Sequence, residues 1–472
     1  MIVRRWPFAV FMLAALLAPP VPSQETPPPG GEPKEFELPQ KSRMRLDNGL
    51  QATFVQFGDV PKVAVSIFVR TGNIDEEGQT WLADLTGELM KEGTAERSAE
   101  ELAIEAAEMG GGVSLAVGVE QTSLTSDVLS EFGPRAVELL ADVVRQPQLP
   151  ESELERIRAN FLRNLSVARS RPQAQAGEAF MRLLYGDHTY GTVFPSEEQL
   201  LSYTIEDVRR FYEDNFGARR THIYVAGKFD EAAMRAAIRE AFADWEAGPE
   251  PRIDVPEPQS GERIAFIDRD GAPQSTILIG QRVVHPAAAG YIPTIVMNTL
   301  LGGSFASRIT RNIREDKGYT YSPDSSISAH YRDAYWRLAA DVTTDVTGPA
   351  LEEIFREIER LQSEPPPDEE LDGIKSYRTG IFVLGNATRG GLIGQMAFLD
   401  LHGLDDSFLE SYLSNIHAVT PEEISEAARD QLEREDMVVV IVGDLEEIED
   451  QIGEVPALIG APGKQKGADP SS

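Results

Sequence analysis

Apolar and polar residues alternate from Arg43 to Phe57 around an Asn48-Gly49 turn, which predicts a β-hairpin. Val63 to Val69 continues as a strand. The period then lengthens. Thr80 to Lys91, Ser98 to Met109, Phe132 to Arg145 and Glu151 to Arg169 carry apolar residues at helical spacing. Ser98 and Glu101 have the spacing of a capping box. Arg263 to Ile267 and Ser275 to Gly280 read as strands again.

The pattern repeats. A helix opening at Thr204-Ile-Glu-Asp-Val208 is followed by the strand Ile223-Tyr-Val-Ala and then Gly227. A helix opening at Thr420-Pro-Glu-Glu-Ile424 is followed by Val438-Val-Val-Ile-Val442 and Gly443. Thr420 lies 216 positions after Thr204, and Gly443 lies 216 positions after Gly227. Two matches at one offset predict a duplicated unit. The Pro- and Glu-rich stretch 248–260 separates the copies, so two homologous domains are expected at 36–247 and 261–450. Strands and helices mix in each copy, which gives an α+β class with helices covering a sheet. A loose tail is expected over 451–472.

The N-terminus reads differently. Arg4 and Arg5 precede an apolar run from Trp6 to Ala18, too short to span a bilayer, and Val21-Pro22-Ser23 fits a cleavage site. Residues 1–23 are expected to be a signal peptide and 24–35 a Pro-rich linker, which implies a periplasmic or secreted protein with no membrane contact after cleavage. Among 472 residues, acids outnumber bases 77 to 44, for a formal charge of −33. Such a charge repels phosphate backbones, so nucleic acid is not an expected partner. No cysteine is present, which excludes disulfides and thiol nucleophiles. The six histidines include no His-x-His or His-x-x-x-His pair. Gly110-Gly-Gly112 and Gly302-Gly303 lack the Lys-Ser/Thr or dinucleotide context of a phosphate loop. Gly110 to Ala116 is expected to lead into an edge strand.

Three stretches carry a family resemblance. The first runs Arg70-Thr-Gly-Asn-Ile-Asp-Glu-Glu-Gly78, Leu82-Ala-Asp-Leu-Thr-Gly-Glu88 and Lys91-Glu-Gly-Thr94. The second is Asp268-Arg-Asp-Gly-Ala-Pro-Gln-Ser-Thr276. The third is Leu301-Gly-Gly-Ser-Phe-Ala-Ser-Arg308 followed by Ile313-Arg-Glu-Asp-Lys-Gly-Tyr-Thr-Tyr-Ser322. Together they resemble the pitrilysin/insulinase family of zinc peptidases, in particular its half-length branch, such as mitochondrial processing peptidase. The resemblance implies two homologous domains, each a largely antiparallel sheet covered by helices, forming half of a clamshell.

Active members of that family carry His-x-x-Glu-His on the helix placed here at 80–91. The histidines bind zinc from one helix face and the glutamate activates water. The matching positions hold Asp84, Gly87 and Glu88, and the third-ligand position holds Asn164. The resemblance therefore implies a non-catalytic subunit with no metal and no cofactor in this chain. Asp84 and Glu88 could face a hard cation such as calcium, or form a solvated acidic face. In the second half the family binds substrate backbone through an arginine and a tyrosine, matched by Arg314 and Tyr321; Tyr319 is the rival tyrosine, expected on the same strand side. The resemblance implies a zinc-bearing peptidase subunit as partner and unfolded peptides as substrates, with Arg314 and Tyr321 acting in trans. Two other classes stay open: a peptide-binding or scaffold protein of the same fold, and an independent hydrolase.

Overall fold

A computed structural model describes residues 36–259 and 261–453. The expected signal peptide, Pro-rich linker and most of the expected tail lie outside the described residues. The helix Leu445–Ile452 runs two residues into that tail. Gln451 ties it down, accepting from Gly348 N and donating to Thr344 O.

The first half builds a six-stranded sheet from β1 (Lys41–Arg45), β2 (Gln51–Gln56), β3 (Lys62–Val69), β4 (Ser114–Val117), β5 (Thr122–Leu129) and β6 (Thr221–Gly227), in the order β1-β2-β6-β3-β5-β4. The second half builds a five-stranded sheet from β7 (Ile264–Asp268), β8 (Gln274–Arg282), β9 (Asp324–His330), β10 (Asp333–Thr343) and β11 (Val438–Gly443), in the order β7-β11-β8-β10-β9. Apart from β1 the two orders are one order. The single parallel pair recurs in the same place, β2 with β6 and β7 with β11. Both repeated helices begin with a capping box, at Thr204 with Asp207 and Thr420 with Glu423. The glycine-rich run leads into β4, which is indeed an edge strand.

The strand β11 is apolar at five consecutive positions because both of its faces are covered. Val439 and Ile441 join the core of the second half. Val438, Val440 and Val442 face Phe180 and Tyr185 of the helix Pro172–Tyr185, which belongs to the first half. The converse holds for β6. Ile223 and Val225 enter the first core, while Tyr224 and Ala226 meet Leu392, Ile393 and Met396 of the helix Arg389–His402 from the second half. Each half thus lends one helix to the other's sheet. The two lent helices stand 217 positions apart at both ends, so they are themselves copies of one another. Polar contacts fix the exchange: Arg389 pairs with Asp127 at 2.8 Å and His222 Nδ1 lies 3.0 Å from Asp400.

A second contact joins two hairpin tips. Glu120, between β4 and β5, accepts from Tyr331 N, between β9 and β10, and from Tyr190 Oη at 2.7 Å. His330 stacks on Tyr190 with centroids 4.3 Å apart. Burial alone would raise the Glu120 carboxyl, but His330, Tyr331 N and Tyr190 outweigh it and hold it below the usual range.

Candidate functional site

The helix that would carry a zinc motif spans Leu82–Met90 and starts after Trp81, which sits in the left-handed region at φ 68°. The Trp81 ring is anchored edge-on against Phe161 and Phe194. Phe161 belongs to the helix Glu151–Arg169, so the Trp81 contact ties the two helices of the expected site together. Seven of the nine helix residues are buried, leaving Asp84 and Glu88 as the partly open face.

The expected solvated acidic face is realised only at Glu88, which pairs with Lys91 at 2.6 Å. Asp84 instead accepts from Asn73 Nδ2 at 2.7 Å, and burial pushes its carboxyl above the ordinary value. Beneath it lies Glu76, 4% exposed. Glu76 accepts from Asn73 Nδ2 at 2.9 Å and from Ala83 N at 3.0 Å. Burial drives Glu76 up to about 8, with those hydrogen bonds opposing and Asp84 adding to the rise. Its role was not legible in the sequence, where Glu76 is one acid among several.

Gly87 is closed off from above. A Cβ there would stand 2.5 Å from Val117 Cγ2 and 3.0 Å from Leu115 Cδ2, both on the edge strand β4. Asn164 is exposed on helix Glu151–Arg169. These donors do not suit zinc. One carboxylate is engaged by Asn73, the other by Lys91, the position between them has no side chain, and an asparagine stands where a third ligand would be. Among the described residues, no group of three or more His, Asp or Glu side chains is arranged to hold a metal ion.

The second half presents a different surface. Arg314 rides on a π-helical stretch, Thr310–Asp316, anchored below by buried Thr310 and Ile313. Such widened turns recur at functional sites. The guanidinium lies between two rings, 4.3 Å from the Phe305 centroid and 5.1 Å from that of Tyr321. Tyr321 is 80% exposed. Arg314, Tyr321, Phe305 and Tyr377 border an open cavity of about 460 Å3 that Gly302 and Gly303 also line. Tyr319 is not on the same side. No regular strand forms there, since β9 begins at Asp324 and only Thr320 bridges to Val342. The Tyr319 ring packs against the core of the second half while Tyr321 points outward. The structure thus brings Arg314 and Tyr321 together and adds Phe305 and Tyr377. Phe305 lay within the Gly-Gly-Ser-Phe motif and could have been read; Tyr377 comes from a distant helix and could not.

Residues 58–193 match the sequence model described as "Insulinase (Peptidase family M16)", and residues 202–377 match the one described as "Peptidase M16 inactive domain". The "uncharacterized zinc protease YmxG" of Bacillus subtilis is 23% identical over 403 residues, covering 85% of this chain and 97% of its own. The "uncharacterized zinc protease Rv2782c" of Mycobacterium tuberculosis is 25% identical over 406 residues, covering 83% and 91%. Among solved structures, a peptidase M16 inactive domain from Pseudomonas fluorescens superposes with a TM-score of 0.78 at 20% identity, covering 85% of this chain and 98% of that one. A protease from Helicobacter pylori superposes with a TM-score of 0.77 at 18% identity, covering 86% and 100%. With both halves matched by models of one family and the duplicated fold shared, the chain belongs to the insulinase family of peptidases, peptidase family M16.

Proposed function

We propose that this chain is the zinc-less subunit of a heteromeric peptidase of the insulinase family. A zinc-bearing subunit of the same family supplies the metal, its ligands and the general base. This chain supplies half of the chamber wall together with Arg314 and Tyr321. The leader read at residues 1–23 puts the pair in a periplasm or outside the cell.

The observation that carries this reading is the contrast between the two halves. The helix Leu82–Met90 offers neither ligands nor space, with Gly87 under Val117. Tyr321, by contrast, stands exposed and Arg314 half-buried beside it on one open cavity, stacked and, among the described residues, committed to no acidic partner. An arginine fork donates to peptide carbonyls in fixed geometry, and a tyrosine hydroxyl can stabilise charge developing on an oxygen. An unfolded peptide laid across that cavity would present its backbone to both.

The test is reconstitution. The full chain is purified alone and mixed with a His-x-x-Glu-His family member from the same genome. Peptide hydrolysis is expected from the mixture and not from this chain alone. Robust cleavage by this chain alone, or failure of any such family member to associate with it, would remove the proposal.

A further inference from the structure

Among the described residues of the second half, the large apolar side chains that stand well exposed are Phe305, Tyr321, Tyr377, Ile381, Val383 and Leu384. All but Val383, which lies off the common helix face, cluster together. Phe305, Tyr321 and Tyr377 border the cavity that holds Arg314. From Tyr377 the helix Asp368–Asn386 continues away, carrying Ile381 four residues on and Leu384 seven residues on. That spacing sets the three side chains on one helix face. At 1.5 Å per residue the stripe extends roughly 10 Å from the cavity.

Two glycines share the face, Gly373 one turn before Tyr377 and Gly380 one turn after it. A Cβ at either would meet no atom within 4 Å. Glycine weakens a helix interior relative to alanine, and among the described residues no neighbour demands it at these places. The face is therefore flat enough for close approach from outside. The duplication gives the face its direction. Helix Glu151–Arg169 maps onto Asp368–Asn386 with a shift of 217, which places Ile381 where the first copy has Asn164. The stripe thus occupies the same face as the third-ligand position of the other half.

We propose that the stripe Tyr377–Ile381–Leu384 is an apolar wall of the peptide site. It receives large apolar side chains of an extended peptide whose backbone lies on Arg314 and Tyr321. The inference rests on the shared-site reading above and deepens it, by making this chain select peptides that carry apolar residues beside the bound backbone. Side chains on one face of an extended peptide recur about every 6.6 Å, and Tyr377 and Ile381 stand about 6 Å apart along their helix axis. A strip one helix wide is far smaller than the roughly 800 Å2 per partner of a stable protein interface, whereas its first residue, Tyr377, itself lines the cavity that holds Arg314.

The test uses the full chain and two fluorescein-labelled 12-residue peptides, one with Leu at alternate positions and one with Gln in their places. Fluorescence anisotropy should show tighter binding of the Leu peptide. I381Q/L384Q should weaken the Leu peptide at least about tenfold, the order expected for one or two buried apolar side chains, and leave the Gln peptide unchanged. Gly380→Ala should raise thermal stability yet also weaken the Leu peptide. Arg314→Ala should weaken both peptides alike. If Arg314→Ala weakens both while the stripe variants change neither, the stripe proposal falls and the shared-site reading stands. If the stripe variants discriminate while Arg314→Ala is silent, the shared-site reading falls instead. Loss of a concentration-dependent dimer in I381Q/L384Q, with peptide binding intact, overturns the stripe as a peptide wall. Absence of saturable binding of either peptide overturns it too.

Discussion

The edge-strand residue Val117 rests on Gly87: a Cβ at position 87 would come within 2.5 Å of its Cγ2 methyl. The strand β4 and the helix Leu82–Met90 have closed over the place where a catalytic carboxylate would need to stand. Helix propensity favours alanine over glycine by roughly 1 kcal/mol, but overpacking costs about 1–3 kcal/mol. Gly87→Ala is therefore expected to lower stability by about 1 kcal/mol in denaturant unfolding. A gain in stability would show that β4 yields without cost.

The same closure bears on restoring activity. Writing His, Glu and His at positions 84, 87 and 88 must displace Leu115 and Val117, and Asn164 still offers no third anionic ligand. The expected outcome is a destabilised chain without peptidase activity. Metal analysis of the wild-type chain after dialysis should find no stoichiometric zinc. One tightly held zinc per wild-type chain, or turnover by the triple variant alone, would contradict this account.

Tyr321→Phe removes one hydroxyl and leaves the ring on which Arg314 stacks. In the reconstituted pair it should lower turnover by roughly 10²–10³, as for loss of one oxyanion donor, with the partner's zinc retained. Arg314→Ala should act more on KM, because backbone contacts precede the transition state. Tyr319→Phe, inward and against the core, is the control. Steady-state hydrolysis of a quenched fluorescent peptide reads all three, and full activity in both Tyr321→Phe and Arg314→Ala would reduce this subunit to a wall.

Glu76 predicts a pH effect. Burial raises its folded-state value from 4.5 to about 8, so the folded chain holds a proton there that the unfolded chain has lost. Between those values the folded state binds more protons, and this residue's contribution to stability falls as pH rises. Glu76→Gln mimics the protonated form. It should remove that part of the decline, so that the variant gains on wild type between pH 5 and pH 9 in thermal unfolding. A variant that loses equally at both pH values would mean that Glu76 is ionised in the fold.

Much of this architecture was written locally. Thr204 and Thr420 announce two helix starts at one offset, and both form the capping boxes that their Asp207 and Glu423 imply. The unbroken apolar run of β11 announces burial on both faces. What covers those faces was not legible, because Phe180 and Leu392 show only that their helices have an apolar side. Which sheet receives that side is decided by contacts between residues far apart in the chain, Phe180 with Val440 and Leu392 with Tyr224. Tyr319 departs from its expected side for a related reason. Alternation along a strand would set it beside Tyr321, but the backbone there makes one isolated bridge before β9 begins. Asp84 reads in sequence as a surface acid, whereas in the fold Asn73, eleven positions earlier, holds it.

The exchanged helices have a consequence for how the chain is made. During synthesis the first half cannot finish its own sheet: Val55, Ala64, Tyr224 and Ala226 stay bare until Leu392 to Ala397 have left the ribosome. A nascent chain stopped at the 248–260 linker would carry a lent helix with no sheet to cover and a sheet with no helix over it. Because the two lent helices are copies, the orphan helix of one such chain offers the bare sheet of another an apolar face of the same kind. Truncation at the linker should therefore yield not a smaller soluble domain but a sticky fragment, rescued only when the missing half is supplied alongside it.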